Sequence, residues 1–402
     1  MEIIRSVFIR WITFFILSGI LFIPFSFQWY SIQSKIVEFL FGNLVNLIAD
    51  IFDISWQLND FSSDSKRLFI LVGLLVVLSF IISLLSFSKK IPPISWGKFE
   101  KIIQLIAAYY LAWILLKYGL DKIFKCQFYL PEPNILYSRV GDLDKDILFW
   151  SSIGSSYSYN IFMGIMEVIP ALFLLSRRTR LIGGIIATGV FMNVIAINFG
   201  FDISVKLYAS FLLLIAIYIS WPGFKLIIEI LVLKKKQIFP SASENEKQSR
   251  KYVIIKSVFI LFIFSETFFP YIKSGNFNDD TIERPFLHGA YEVEKIIQGK
   301  DTLIGENNAI RNIFFHRDNY LIFQFKNEEM LDFKMKLNPS NTTLTLFNEG
   351  NNKKEYAIAY SKQNKTLRLT HGKKHEQEII ICEEKDWRKM PLTQSLFHWS
   401  VD

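Results

Sequence analysis

Seven stretches of mostly apolar residues, at 6–27, 67–88, 103–122, 159–176, 181–199, 203–222 and 253–272, dominate this chain. Each is close to the roughly 20 residues that a helix needs to cross the hydrocarbon layer of a bilayer. A backbone in lipid must satisfy its own hydrogen bonds, so such runs cross as helices. The chain therefore reads as a membrane α-helical bundle of about seven transmembrane helices. Composition agrees. With 51% hydrophobic residues, 39 Phe, 9 Trp and only 20% charged residues, the chain has more apolar surface than a soluble fold can cover.

The first run has Arg5 and Arg10 ahead of its centre, as a signal peptide would. No small-residue cleavage site follows Phe27, and Gln28, Trp29 and Tyr30 read as an interfacial anchor, so the expectation is an uncleaved helix. Residues 33–56 are amphipathic, with Ile36, Phe39, Leu40, Leu44, Leu47 and Ile48 on one side. Such a segment is expected to lie along the membrane surface; a re-entrant or eighth spanning segment is the competing reading.

Charge sets the expected orientation. Alternate connections are basic, carrying Lys89, Lys90, Lys98 and Lys101, then Arg177, Arg178 and Arg180, then Lys225, Lys234 to Lys236, Arg250 and Lys251. The connections between them are mixed or acidic, with Glu38, Asp50, Asp53, Asp60 and Asp64, then Glu132, Asp142, Asp144 and Asp146, then Asp202. The positive-inside rule places the basic set and the N-terminus in the cytoplasm and everything after about Ile272 outside. The same clustering beside spans explains the net charge of +8 without nucleic acid as a partner. The partner it implies is the lipid bilayer. The Asn-, Lys- and Ile-rich composition suggests a low-GC bacterium, and with the spans and their orientation the expected location is the bacterial inner (cytoplasmic) membrane, with a periplasmic C-terminal domain.

From about residue 276 the pattern switches to short alternating segments, at 291–297, 310–315, 320–325, 331–336, 342–347, 356–360, 366–370 and 378–382, separated by turns rich in Asn, Asp, Gly and Pro. A meander of this kind must close or cover its edges. The expectation is a small all-β domain forming a lipocalin-like antiparallel barrel, with an immunoglobulin-like sandwich as the alternative. The domain plan is thus an N-terminal membrane region at 1–100, a membrane core at 101–233, a basic linker at 234–252, a seventh span at 253–275 and an extracytoplasmic β domain at 276–402.

Glu167 falls near the middle of its span, where an ionised carboxylate is costly unless paired, hydrated or protonated. Gly164 and Ala171 share its face, which marks that face as inward. By the same argument Asn193, which shares a face with Gly189 and Ala196, is expected to point inward. Lys206 follows Asp202 at the spacing of a helical ion pair. Lys117, Asp121 and Lys122 close the third span, and Asn198 closes the fifth. The expectation is one outward-opening polar funnel, with Glu167 facing Lys206 or Asn193. Glu266 either joins it or is solvated. Against this stands a purely structural reading, in which these groups satisfy one another and fix helix register.

No nucleotide-binding loop, nucleophile elbow or haem-attachment motif is present. The spacing of His371 and His375 resembles that of a metal pair, but the two residues bracket a Gly-Lys-Lys turn and read as solvated side chains, so no metal site is expected. Cys126 and Cys382 would both face an oxidising compartment and are able to form one bond, although Cys382 at an inward strand position reads more simply as a core residue.

The stretch from Tyr109 to about Trp221 resembles the DoxX family. The likeness is carried by Tyr118-Gly-Leu-Asp-Lys-Ile-Phe124, Gly164-Ile-Met-Glu167, Arg177-Arg-Thr-Arg180 and Asn198-Phe-Gly-Phe-Asp202 through Lys206. The resemblance implies a four-helix membrane core at about 103–222 and association with membrane redox systems, hence a quinone-facing protein or the partner of a redox protein. It supplies no catalytic residues. On the residues, Glu167 is the candidate proton donor or acceptor, and Lys117, Lys122, Asn193, Asn198, Asp202 and Lys206 are the candidate ligands of a quinone head group or small anion. The alternative is a non-catalytic anchor that displays a β domain for a lipid, peptide or protein partner. A transporter is disfavoured because no inverted repeats are visible.

Overall fold

The computed structural model describes residues 2–25, 32–55, 60–87, 95–234, 250–299, 301–304, 309–347, 353–372, 377–394 and 399–400. The chain divides into two units, 1–127 with 160–277 and 128–159 with 278–402.

The first unit is helical: α1 (Glu2–Phe22), α2 (Ile32–Ile51), α3 (Lys66–Leu85) and α4 (Trp96–Ile123), then α7 (Tyr157–Leu175), α8 (Arg180–Gly200), α9 (Lys206–Ile227) and α10 (Arg250–Ser274). Short helices α5 (Pro133–Leu136) and α6 (Lys145–Gly154) belong to the second unit. Among the described residues eight helices are long and apolar enough to cross a membrane, the seven expected ones and α2.

Neighbouring contacts give the helix directions. Ser83 near the end of α3 donates to the Val7 carbonyl at 2.9 Å, and Arg10 donates to the Ser86 carbonyl at 3.1 Å, so α1 and α3 run antiparallel. Phe14 of α1 meets Phe99 near the start of α4, and Phe25, just beyond α1, meets Tyr118 near its end, so these two helices run parallel. Thr13 pairs with Tyr218 and Phe25 with Tyr208, which makes α9 antiparallel to α1. Tyr109 packs on Phe259 and Phe124 on Tyr271, so α10 runs with α4.

Contacts of α2 lie at one end of this bundle. Gln33 donates to the Ile23 carbonyl at 3.0 Å, Phe41 meets Phe22, and Glu38 pairs with Arg67 at 3.0 Å in the first turn of α3. Val37, Gly42, Val45 and Ala49 are its buried residues, while Ile36, Phe39, Leu40, Leu44, Leu47 and Ile51 are exposed. A helix with its apolar side chains turned away from its own bundle needs lipid or protein on that side.

The second unit carries a closed eight-stranded antiparallel barrel. Strands β1 (Gly289–Gln298) and β3 (Ile310–Phe315) to β9 (Glu378–Lys385) follow one another as neighbours, and β1 pairs with β9 to close the ring. The short β2 (Asp301–Ile304) pairs with the second half of β1 as an added hairpin. Between them run β4 (Tyr320–Phe325), β5 (Met330–Leu337), β6 (Thr343–Phe347), β7 (Lys353–Ser361) and β8 (Thr366–His371), so all eight expected strands form. A bulge between Val293 and Lys295 adjusts the closing pair.

Alternation sends Tyr291, Phe315, Leu321, Phe323, Leu344, Leu346, Leu367, Leu369 and Ile380 into one buried core. An eight-stranded barrel is just wide enough for side chains to fill, and each such burial contributes roughly 1.5–3 kcal/mol. Cys382 is fully buried in that core, where burial pushes its thiol pKa up; no disulfide joins it to Cys126.

On β1, β3 and β4 the outer face is also buried. Ala290, Phe314 and Ile322 pack with Trp387, and Leu130, Leu136 and Tyr137 of the 128–159 segment lie against them. Gln324, with no exposure, accepts from Asn312 at 2.7 Å and donates to the Tyr137 carbonyl at 3.2 Å. The membrane core expected at 101–233 includes 128–159, but packing unites that segment with the barrel.

Candidate functional site

The polar residues of the bundle are organised around α4. Helices α4 and α7 touch through Gly119 and Gly164, so closely that a Cβ on Gly119 would stand 2.8 Å from the Gly164 carbonyl oxygen. Side chains tilt toward a helix's N-terminus, so three residues beyond this antiparallel contact Lys122 and Glu167 lean toward each other. Lys122 donates to Glu167 at 2.8 Å, and the two side chains are 6% and 7% exposed. Glu167 therefore faces inward as its small-residue face implied, but its partner is Lys122 and not Lys206 or Asn193.

Next along α4, Asp121 accepts a hydrogen bond from Tyr271 of α10. Its charge is flanked by Lys117 and Lys122. The Lys117 ammonium lies 5.5 Å from the centre of the Phe25 ring, which stacks on Tyr208. Tyr208 and Tyr110 join hydroxyls at 2.9 Å, both buried. One turn on, Trp113 donates to Glu266 at 3.0 Å, and Glu266 is 1% exposed; it is a buried partner rather than a solvated one.

The remaining expected residues separate from this set. Lys206 pairs with Asp202 at 2.7 Å, as the spacing implied, but Asp202 is 83% exposed and the pair sits at the start of α9. Asp64 accepts from the Lys206 and Leu207 backbone N–H groups at 2.9 and 3.0 Å, capping α9 from the segment before α3. Asn198 is buried, and its Nδ2 finds no acceptor among the described residues. Asn193 is exposed, with Gly189 and Ala196 beside it. The inward face of α8 is instead Gly183, Gly184, Ala187, Thr188 and Phe191, where Gly184 and Thr188 meet Ser220 of α9. Small residues occupy both faces of α8, and the face with the hydroxyl pair won. The expected single funnel is thus several separate groups.

Sequence reasoning missed an apolar cleft of about 410 Å³ lined by α1, α4 and α10. Its walls include Ile20, Leu105, Tyr109, Tyr110, Trp113 and Phe259. The signal was there, as an adjacent Tyr109-Tyr110 pair in mid-span with Trp113 a turn later. Four lining residues carry polar groups, Tyr109, Tyr110, Trp113 and Lys256; the Tyr110 hydroxyl pairs with Tyr208, and the Trp113 indole N–H donates to Glu266.

The second unit holds a buried ionic network that the sequence also concealed. Glu132 accepts from His288 Nε2 at 2.8 Å and from the guanidinium of Arg317, which also bonds Asp279 and lies 3.7 Å over the Tyr129 ring. Arg284 completes the set on Asp279 at 2.7 Å. Burial alone would raise the Glu132 carboxyl, but the His288 hydrogen bond and the Arg317 charge outweigh it and hold its pKa at about 2. Because that carboxylate only accepts, His288 Nε2 carries the hydrogen. His316 stands 3.9 Å from Glu132, and burial lowers its pKa. Its neighbours are ion-pair partners from distant parts of the chain, which no local spacing reveals. His371 Nδ1 contacts the Glu355 carbonyl at 2.6 Å; His375 lies outside the described residues.

No protein-family model matches the chain. No solved structure matches it. YwoB, an uncharacterized protein of Bacillus subtilis (strain 168), is 30% identical to it over 122 residues, which make up 30% of this chain and 77% of YwoB. With that identity over more than two thirds of the relative, the chain belongs to the same family as YwoB.

Proposed function

We propose that the membrane bundle binds a quinone, taken up from the bilayer into the cleft of α1, α4 and α10, and that the protein serves as a subunit of a membrane redox system. The observation that carries this reading is the double position of Tyr110. It lines the cleft and also forms the buried hydroxyl pair with Tyr208. A quinone needs an apolar slot for ring and tail and a placed donor for a carbonyl; Ile20, Leu105 and Phe259 supply the first, and the Tyr110 hydroxyl supplies the second when Tyr208 donates to it. The resemblance to DoxX proteins supports the same ligand class. In this reading electrons come from a partner redox protein.

Trp113 makes the proposal measurable. A short-chain naphthoquinone should quench tryptophan emission saturably in detergent. Trp113→Phe should remove most of the saturable part, and Tyr110→Phe should weaken binding about fivefold, the worth of one hydrogen bond. Quenching that never saturates, or that ignores both substitutions, rejects the site.

The second reading is an anchor for the barrel. Its support is the filled barrel core, which leaves the domain's outer surface as the place for a protein partner. In that case the quinone measurements fail while the barrel captures a partner.

A further inference from the structure

A second cleft, of about 550 Å³, lies between α1, α4 and α9 at the end of the bundle opposite α2. Its residues are ordered by depth. Arg5 in the first turn of α1, Glu100 in the second turn of α4 and Trp221 near the end of α9 mark the rim. Ile12, Leu214 and Ile217 line the part deeper in the bundle. Trp221 is 60% exposed, as expected of a tryptophan at head-group depth. The rim thus carries one cation and one anion above an apolar slot. Among the described residues neither Arg5 nor Glu100 forms an ion pair, although both line the same cleft. Opposite charges held apart at one rim match a dipolar group placed between them.

We infer that this cleft binds a phospholipid with a zwitterionic, primary-ammonium head group, of the phosphatidylethanolamine class. Arg5 takes the phosphate, Glu100 takes the ammonium with the Gln104 amide below it, and an acyl chain follows Ile12, Leu214 and Ile217 into the bilayer. An anionic glycerol head group would satisfy Arg5 but leave Glu100 without a counter-charge, and would be repelled by it. This assignment does not depend on a quinone in the other cleft, which is lined by different residues of α4.

The test is native mass spectrometry of the full-length protein released from nanodiscs holding equal amounts of phosphatidylethanolamine and phosphatidylglycerol. Wild type should retain phosphatidylethanolamine over phosphatidylglycerol by about fivefold, the effect of one partly exposed charge pair. Glu100→Gln should abolish that preference while lipid is still retained. Arg5→Gln should lower retention of both lipids. Ile217→Trp, which fills the slot without touching either charge, should expel the lipid from folded protein. Equal retention of the two lipids by wild type overturns the assignment, as does a preference that survives Glu100→Gln or full retention in Ile217→Trp.

Discussion

Lys122 and Glu167 form a buried ion pair at 2.8 Å where α4 crosses α7. Removing one partner of such a pair leaves an uncompensated charge, which costs about 3–5 kcal/mol, whereas removing both is much milder. Lys122→Met or Glu167→Gln alone should therefore destabilise the protein strongly, and the double variant should recover much of the loss. Thermal unfolding in detergent of the four proteins checks this. Additive losses would mean that the two side chains act separately.

The same crossing depends on two glycines. A Cβ on Gly164 would lie 2.5 Å from the Gly119 carbonyl oxygen, and backbone cannot retreat as a flexible side chain can. Gly164→Ala should cost about 1–3 kcal/mol by overpacking. Unfolding unchanged from wild type would show that the helices are not in this contact.

Acid should loosen the second unit. The Glu132 carboxyl titrates at about 2 in the folded protein against 4.5 ordinarily, so the unfolded chain binds its proton first as pH falls. Stability from this group is present above pH 4.5 and lost on the way down to about 2, about 3 kcal/mol in all. His316 acts in the same direction from higher pH, because its folded pKa lies below 6.5 and protonation favours the unfolded chain. Hydrogen exchange at Gly289–Val293 in the full-length protein should accelerate across this range, and Glu132→Gln should flatten the dependence between pH 4.5 and 2. An equally steep profile in the variant would remove Glu132 from the account.

Helix α2 meets the length and hydropathy of a span, yet it bonds both the end of α1 and the start of α3. It should lie along the membrane surface, with both of its flanks on one side. Single cysteines at Ser34 and Ser62, in a background lacking Cys126 and Cys382, should react with a membrane-impermeant maleimide from the same side of intact cells. Labelling from opposite sides would make α2 an eighth crossing.

The spans and the strands were legible because both rest on signals that lie wholly within a segment, the length of an apolar run for the first and two-residue alternation for the second. Lys206 and Asp202 were legible for the same reason, being one helical turn apart. What the sequence could not give was choice among distant partners. The sequence points from Glu167 to Lys206 or Asn193, and only the Gly119–Gly164 contact brings Lys122 to it instead. Asn193 misled because Gly and Ala flank it on one face of α8 while Gly183, Gly184 and Ala187 occupy the other. Glu132 and its partners come from segments separated by most of the membrane region, so only the fold assembles them.

The central claim is that a quinone enters the cleft beside Tyr110. Its most direct test is photocrosslinking with an azido-quinone in membranes, followed by peptide mapping. Labelling should fall on α4 around Leu105 to Trp113 and on α10 around Ile255 to Phe259, and excess unmodified quinone should suppress it. Labelling that is confined to other helices, or that competitor does not reduce, would contradict the account.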